Sequence, residues 1–130
     1  MTPDDLYYSK EHEWLRLEGD GSATIGITDH AQQELGDIVY VELPDPGSAL
    51  EADDVMGSVE SVKAVSEIFS PVAGTVTAVN DALEDAPEVV NSDPYGDGWL
   101  IRLTLDDPGS VAATMLSAAD YDKHVASEAD

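Results

Sequence analysis

The chain has 130 residues, the size of one ordinary domain, and its 42% of hydrophobic residues is enough to build a core. It carries 28 Asp and Glu against 5 Lys and Arg, a formal net charge of −23, which excludes a nucleic-acid binder with a basic face and disfavours docking on an anionic membrane. The absence of cysteine excludes disulfides, thiolate metal sites and cysteine nucleophiles.

The N-terminal residues Met1 to Asp5 are acidic and lack the apolar segment of a signal or transit peptide. No apolar stretch of the sequence is long enough to span a membrane, so we expect a soluble cytoplasmic protein. Repulsion among so many carboxylates destabilises a compact chain unless salt screens it. We therefore expect a halophilic protein from a cytoplasm rich in potassium chloride; the alternative is an acidic protein of an ordinary cytoplasm.

Short apolar runs between turn residues predict strands over 14–17, 23–27, 38–43, 55–62, 65–69, 75–79 and 99–105. Between the second and third of these strands, the sequence predicts a helix over 30–35. Asp29 resembles its N-cap, with Gln32 as the capping-box partner, and Gly36 is its C′ residue. Residues 83–98, rich in proline and glycine, are predicted to form a loop. The sequence thus predicts a mainly β, single domain over 1–130, with a core at about 7–105 and peripheral C-terminal helices at about 110–125.

Most catalytic and metal-binding motifs are missing from the sequence. His12, His30 and His124 have no metal-ligand spacing, so no histidine metal site is expected. The chain has no phosphate-binding glycine loop, and spacing supports no Ser-His-Asp set. A nucleophilic or hydrolytic enzyme therefore has little support, and no catalytic residues are assigned.

Lys63 is the unusual cation of this acidic chain. Lys10 and Lys123 lie near the chain ends beside acidic residues and are typical surface charges, whereas Lys63 falls between two predicted strands. A lysine is not buried there without a partner, and a tight turn at residues 63–64 would hold its amine in water. From spacing alone, however, the favoured interpretation is an ordinary surface lysine paired with Glu60 or Glu67.

Several ordered motifs resemble the glycine cleavage system H protein family. The stretch Gly57–Ala64, followed by Ser70–Gly74, resembles the family's lipoyl-attachment hairpin. The other matching segments are His12–Trp14, Ala23–Ala31, Leu35–Val39, Val41–Pro44 and Asn91–Trp99. Together they extend from about Tyr7 to Val125, nearly the whole chain.

The resemblance implies a barrel-sandwich hybrid (lipoyl-domain-like) with Lys63 carrying lipoate in amide linkage. It further implies a non-catalytic carrier that takes an aminomethyl group from glycine decarboxylase (P protein) to aminomethyltransferase (T protein). Dihydrolipoamide dehydrogenase (L protein) then reoxidises it. A lipoate ligase or lipoyltransferase is the implied modifying partner. We expect a monomer.

The resemblance also implies a groove that holds the loaded arm, formed here by Glu13 and Glu67; the alternative is that both are solvated acids.

Two other functions stay open. One is a biotin carrier module, although methionines usually flank that lysine, and Val62 and Ala64 do so here. The other is a carrier that relays lipoate to 2-oxoacid dehydrogenases.

Overall fold

Two antiparallel sheets form the body of the molecule, which a computed structural model describes for residues 3–129. The strands are β1 (Tyr7–Tyr8), β2 (Glu13–Leu17), β3 (Ser22–Ile27), β4 (Ile38–Glu42), β5 (Ala49–Leu50), β6 (Val55–Ser61), β7 (Val65–Phe69), β8 (Gly74–Val79) and β9 (Ile101–Leu105). The helices are α1 (Asp29–Leu35), α2 (Val89–Ser92), α3 (Val111–Thr114) and α4 (Ala118–Ala129), and the 3₁₀ helices are Asp81–Glu84 and Pro108–Ser110. A mainly β chain with short helices is thus confirmed.

The two sheets pack against each other through one hydrophobic core. The larger sheet has the strand order β1-β2-β3-β9-β8-β5, and the smaller has the order β4-β6-β7. Side chains alternate between core and solvent along β9, in which residues 101, 103 and 105 are buried and 102 and 104 exposed. One continuous cluster contains Leu15 and Leu103 of the larger sheet together with Val59 and Ile68 of the smaller. This sandwich leaves the β6–β7 hairpin projecting from the smaller sheet.

A second cluster fixes the C-terminal helix on the far side of β2. Trp14 is fully buried there with Tyr8 and Tyr121, and the rings of the two tyrosines stack with centroids 4.7 Å apart. Trp14 donates from Nε1 to the carbonyl of Pro94, 2.9 Å away. β2 is therefore covered on both faces, by the core and by α4.

Helix α1 begins one residue earlier than the sequence predicts. Its N-cap is Thr28, with extended backbone, whose Oγ1 accepts from the amide of Ala31 at 3.2 Å. Asp29 was expected in that role, but it is the first helical residue, and its carboxylate accepts from the side chain of Gln32 instead. Both residue types are good caps, and the path of the chain out of β3 decides between them. Gly36 is confirmed as the residue that ends the helix, with φ +81°.

Other boundaries differ where elements are short. The two-residue strands β1 and β5 were not predicted, and the segment 83–98, predicted as a loop, contains α2. The predicted strands over 55–62 and 99–105 end at Ser61 and begin at Ile101, and α4 continues past 125 to Ala129. Among the described residues, no helix has the length and apolar character to cross a membrane.

Candidate functional site

Ser61 organises the tip of the β6–β7 hairpin, which consists of residues 62–64. The amide of Ser61 donates to the carbonyl of Ala64 at 2.8 Å and closes the turn. The buried Ser61 hydroxyl accepts from the amides of Lys63 and Ala64, each at 3.2 Å. The Ser61 side chain therefore stabilises the turn, a role that an Asn-Gly or Asp-Gly pair has in other hairpins. The predicted turn at Lys63 and Ala64 is confirmed.

The residues that follow α1 contact this tip through a backbone hydrogen bond and through packing under the lysine stem. The amide of Val62 donates to the carbonyl of Asp37 at 3.1 Å. The stem of Lys63 crosses Gly36 so closely that a Cβ added there would lie 3.1 Å from Cε and 3.8 Å from Nζ. The lysine stem thus occupies the space that a side chain at position 36 would need.

Lys63 itself is exposed, and none of the ion pairs among residues 3–129 includes it. The interpretation of a surface lysine paired with Glu60 or Glu67 is therefore not what the structure shows. The apolar side chains that flank it are exposed as well, Val62 at 69% and Val65 at 63%, and Tyr40 lies across from Glu60 on β4. An amine surrounded by exposed apolar side chains is accessible to another protein.

Glu13 is buried at the start of β2, with only 2% of its surface exposed. Its carboxylate accepts from the hydroxyl of Ser9 at 2.6 Å and from the backbone amide of Phe69. Burial raises the pKa of Glu13 to about 7, although these two hydrogen bonds oppose the change. Because the folded pKa exceeds the ordinary value of 4.5, the stability this group contributes is complete below pH 4.5 and is lost as the pH rises through about 7.

Glu67 is exposed on β7, opposite Ser58, and lines a cavity of about 200 Å³ between β7 and α1. Glu13 lines a neighbouring cavity of about 220 Å³ together with Asp53 and Phe69. The two glutamates therefore belong to different cavities, and Glu11 contributes to the walls of both.

The wall of the Glu67 cavity includes residues that are neighbours of the lysine tip in the sequence or in the fold. Leu35 and Ser66 belong to its wall, and Leu35 precedes Gly36, on which the stem of Lys63 lies. Glu11 belongs to the walls of both cavities, and we call the two cavities together the acidic groove. Sequence analysis did not identify Glu11 or Glu34, which also line it, because only the fold brings α1 against β7.

The chain and the fold both resemble known proteins. The family model for the glycine cleavage H-protein matches residues 6–128. A glycine cleavage system H protein of Salinibacter ruber is 60% identical over 88% of this chain and 91% of its own length, and one of a Psychrobacter species is 56% identical over 92% and 94%. A crystal structure of a glycine cleavage system H protein from Mycobacterium marinum superposes with a TM-score of 0.86 at 36% identity, covering 95% of this chain and 98% of that one.

The paired sheets, the projecting hairpin and this structural match define a lipoyl-domain-like barrel-sandwich hybrid, the fold that the family resemblance implies. Within that class, the chain belongs to the glycine cleavage system H protein family.

Proposed function

We propose that this chain is the carrier protein of a glycine cleavage system and that lipoate is joined to it by an amide bond at Nζ of Lys63. The observation that carries the proposal is the exposed Lys63 on a hairpin tip held by Ser61 and by the end of α1, in a chain of this family. The residues fit the group, since the amine is accessible and the glycine below the stem leaves it room. When bound, the lipoyl group supplies a sulfur that accepts the aminomethyl unit.

Lys63, Ser61 and the exposed valines at the hairpin tip have different roles in this proposal. Acylation removes the charge of Lys63 and lengthens it into a tether, which keeps the cargo at high effective concentration near successive partners. The hydrogen bonds of Ser61 hold the base of the tether rigid, so that the flexible part begins at the lysine stem. The exposed Val62 and Val65 offer each partner an apolar contact beside the tether.

The acidic groove gives the cargo a place to rest between partners. The amine of an aminomethyl group is protonated near neutral pH, and carboxylates bind such a group by charge-assisted hydrogen bonds. Glu67 lies nearest the lysine along the chain, Glu11 lines both cavities, and Glu13 lines the second cavity. The described hydrogen-bond partners of Glu13, Ser9 and the amide of Phe69, are neutral, so an arriving cation is a favourable partner for this carboxylate.

In this proposal the chain is a non-catalytic, monomeric, cytoplasmic subunit. Its partners are the P, T and L proteins of the system and a lipoate ligase or lipoyltransferase. Each docking face of those partners needs basic residues or salt screening, because the carrier has a net charge of −23.

Intact-mass measurement of the chain produced with lipoate and a lipoylating enzyme tests the attachment. One lipoyl group is expected on the parent chain and on the control variants Lys10→Arg and Lys123→Arg, and none on Lys63→Arg. Arginine keeps the charge but offers no amine that such enzymes acylate. A lipoyl group on folded Lys63→Arg contradicts the assignment, and the mass of a biotinyl group instead would identify the biotin carrier alternative.

The carrier role has its own test, because attachment alone does not separate it from lipoate relay. The loaded chain is expected to support glycine decarboxylation when it is mixed with the P, T and L proteins. Loss of the lipoyl group to a 2-oxoacid dehydrogenase subunit, without glycine turnover, would favour the relay function.

The groove is tested by the rate at which the loaded chain loses its aminomethyl cargo without partners. Glu13→Ala and Glu67→Ala are each expected to accelerate this loss and to leave lipoylation of Lys63 unchanged. Glu84→Ala is the control, because Glu84 is exposed on a 3₁₀ helix and lines a different cavity. If the double variant loses cargo no faster than the control, the groove does not hold the cargo.

A further inference from the structure

All three histidines of the chain lie together beside the C-terminal helix. The ring centroid of His12 is 4.7 Å from that of His30 and 5.9 Å from that of His124. His12 lies in the turn before β2, His30 in the first turn of α1, and His124 on α4. Glu128, one helical turn after His124, completes the group. We call these four residues the histidine cluster.

The donor atoms of this cluster are spaced almost as the ligands of one metal ion. Nε2 of His12 is 3.0 Å from Oε1 of Glu128, and the ligand atoms of His12, His30 and Glu128 all lie within 4.8 Å of one another. Two ligands that bind zinc at about 2.0–2.1 Å and at a tetrahedral angle are about 3.4 Å apart. Small side-chain rotations therefore bring the three atoms to coordination distance.

His12 is already oriented for this role. Its backbone has φ +70°, a conformation rare outside glycine, and its carbonyl accepts from the amide of Thr28 at 3.0 Å. Its Nδ1 lies 2.8 Å from the hydroxyl of Tyr121, which in turn is 2.7 Å from Oγ1 of Thr28. Metal-bound imidazoles regularly donate from the nitrogen that faces away from the ion to a partner of this kind. Nε2 of His12 is then the nitrogen that faces His30 and Glu128.

The other members of the cluster are also held by neighbours. Nε2 of His124 lies 2.9 Å from Oε2 of Glu128, so the second carboxylate oxygen has a partner. Nε2 of His30 lies 2.8 Å from Oε1 of Glu34, four residues later on α1. The two helices thus each supply a histidine and a glutamate four residues apart, on either side of His12.

We propose that His12, His30 and Glu128 bind one first-row transition-metal dication, and that zinc is the ion this donor set fits best. Two imidazole nitrogens and one carboxylate oxygen suit such ions, whereas magnesium and calcium prefer oxygen ligands alone. Three protein ligands leave the fourth tetrahedral position to water. His124 and Glu34 orient the ligands from outside.

The bound ion joins segments that are far apart in the sequence. His12 and Glu128 are separated by 116 residues, and their contact connects the turn before β2 to the last turns of α4. An ion that binds only the folded arrangement stabilises it by mass action. The ion also adds positive charge to a chain with a net charge of −23, which reduces self-repulsion.

Zinc titration of the full chain, without a histidine tag and freed of metal by a chelator, tests the site. Isothermal titration calorimetry in molar potassium chloride, which screens general binding to carboxylates, is expected to show one zinc ion per chain. Zinc is also expected to raise Tm, and magnesium at the same concentration to give neither effect. A parent chain without a stoichiometric zinc site overturns the proposal.

Matched variants locate the ion. Each of His12→Gln, His30→Gln and Glu128→Gln is expected to weaken zinc binding by about 100-fold or more, and Tyr121→Phe, which keeps the stack on Tyr8, by about tenfold. Glu84→Gln, remote from the cluster, is the control and is expected to bind as the parent does. Equal zinc affinity in folded His12→Gln and in the control overturns the assignment.

A measurement on the unaltered chain guards against variants that do not fold. Imidazole ¹⁵N spectra are expected to show that zinc shifts Nε2 of His12 and Nδ1 of His30, the nitrogen of His30 that does not face Glu34, while Nδ1 of His12 remains protonated. Unchanged imidazole signals at one equivalent of zinc overturn the proposal whatever the variants do.

Discussion

Replacing Gly36 with alanine tests how the end of α1 positions Lys63. Gly36 has φ +81° and ψ −156°, a combination that residues with a Cβ rarely adopt. The added methyl group would lie 3.1 Å from Cε of Lys63, and the lysine stem must give way by a few tenths of an ångström. Gly36→Ala therefore strains the backbone and displaces the stem at once.

The two effects have different sizes. A residue with a Cβ in this backbone region costs about 1–3 kcal/mol. The contact with Lys63 adds little to that, because a flexible exposed stem moves easily. A domain of this size loses roughly 4 °C of Tm for each kcal/mol, so Tm is expected to fall by about 4–12 °C.

Gly47→Ala separates strain from displacement. Gly47 also has a positive φ, +94°, but a Cβ there meets nothing within 4 Å. Calorimetry is expected to show a similar loss of Tm in both variants, whereas the rate of enzymatic lipoylation, measured by intact mass below Tm, is expected to fall only in Gly36→Ala. An unchanged Tm in Gly36→Ala, or equal lipoylation rates in the two variants, would refute the reasoning.

Three other outcomes follow from the same structure. Glu13→Gln is expected to be more stable than the parent at pH 8, by up to roughly 3 kcal/mol from the difference between pKa values of about 7 and 4.5, and to lose that advantage by pH 4.5. Denaturant titration of chelator-treated protein measures this, and a difference independent of pH contradicts it. Tm of the parent is expected to rise steeply between 0.01 and 1 M salt, as the Debye length falls from about 30 to about 3 Å; a flat Tm is evidence against adaptation to salt. Ser61→Ala is expected to lower stability by about 1 kcal/mol and to accelerate hydrogen exchange at the amides of Lys63 and Ala64, and unchanged exchange would show that the hydroxyl does not hold the tip.

Elements with a strong local pattern are the ones the sequence predicts well. The alternation of β9 and the β-branched runs around Lys63 place the strands and the hairpin tip to within one or two residues. β1 and β5 have only two residues each, too few to show a period, and pairing with β2 and β8 alone defines them. Tertiary contacts, and not propensity, form these strands.

The segment 83–98 shows how a distant contact changes a local prediction. Its prolines and glycines indicate a loop, yet residues 89–92 form α2. Asn91 at its centre accepts from the amide of Ile38 at 2.8 Å and donates to the carbonyl of Gly36 at 2.8 Å and to Gln32 at 2.9 Å. These bonds cross more than 50 residues, so no window along the sequence contains them.

The residues of the candidate site also fall into two groups, those that local sequence predicts and those that only the fold brings together. The exposed turn at Lys63 could be predicted because the hairpin that presents it is local in the sequence and resembles a known motif. Glu11 and Glu34 were missed because the groove exists only where α1 packs beside β7. The histidines were judged by their spacing along the chain, which carries no information when three separate elements supply them.

Helix α1 connects the lysine tip to the histidine cluster. Its seven residues span about 10 Å, and its partly buried Ala31 and Leu35 pack against the core. At its N-terminal end Thr28 bonds to Tyr121 of α4, and at its C-terminal end Gly36 and Asp37 contact the tip. Thr28 thus connects α1 to α4, and Gly36 connects α1 to the stem of Lys63. The proposed attachment lysine and the histidine cluster therefore lie at opposite ends of α1.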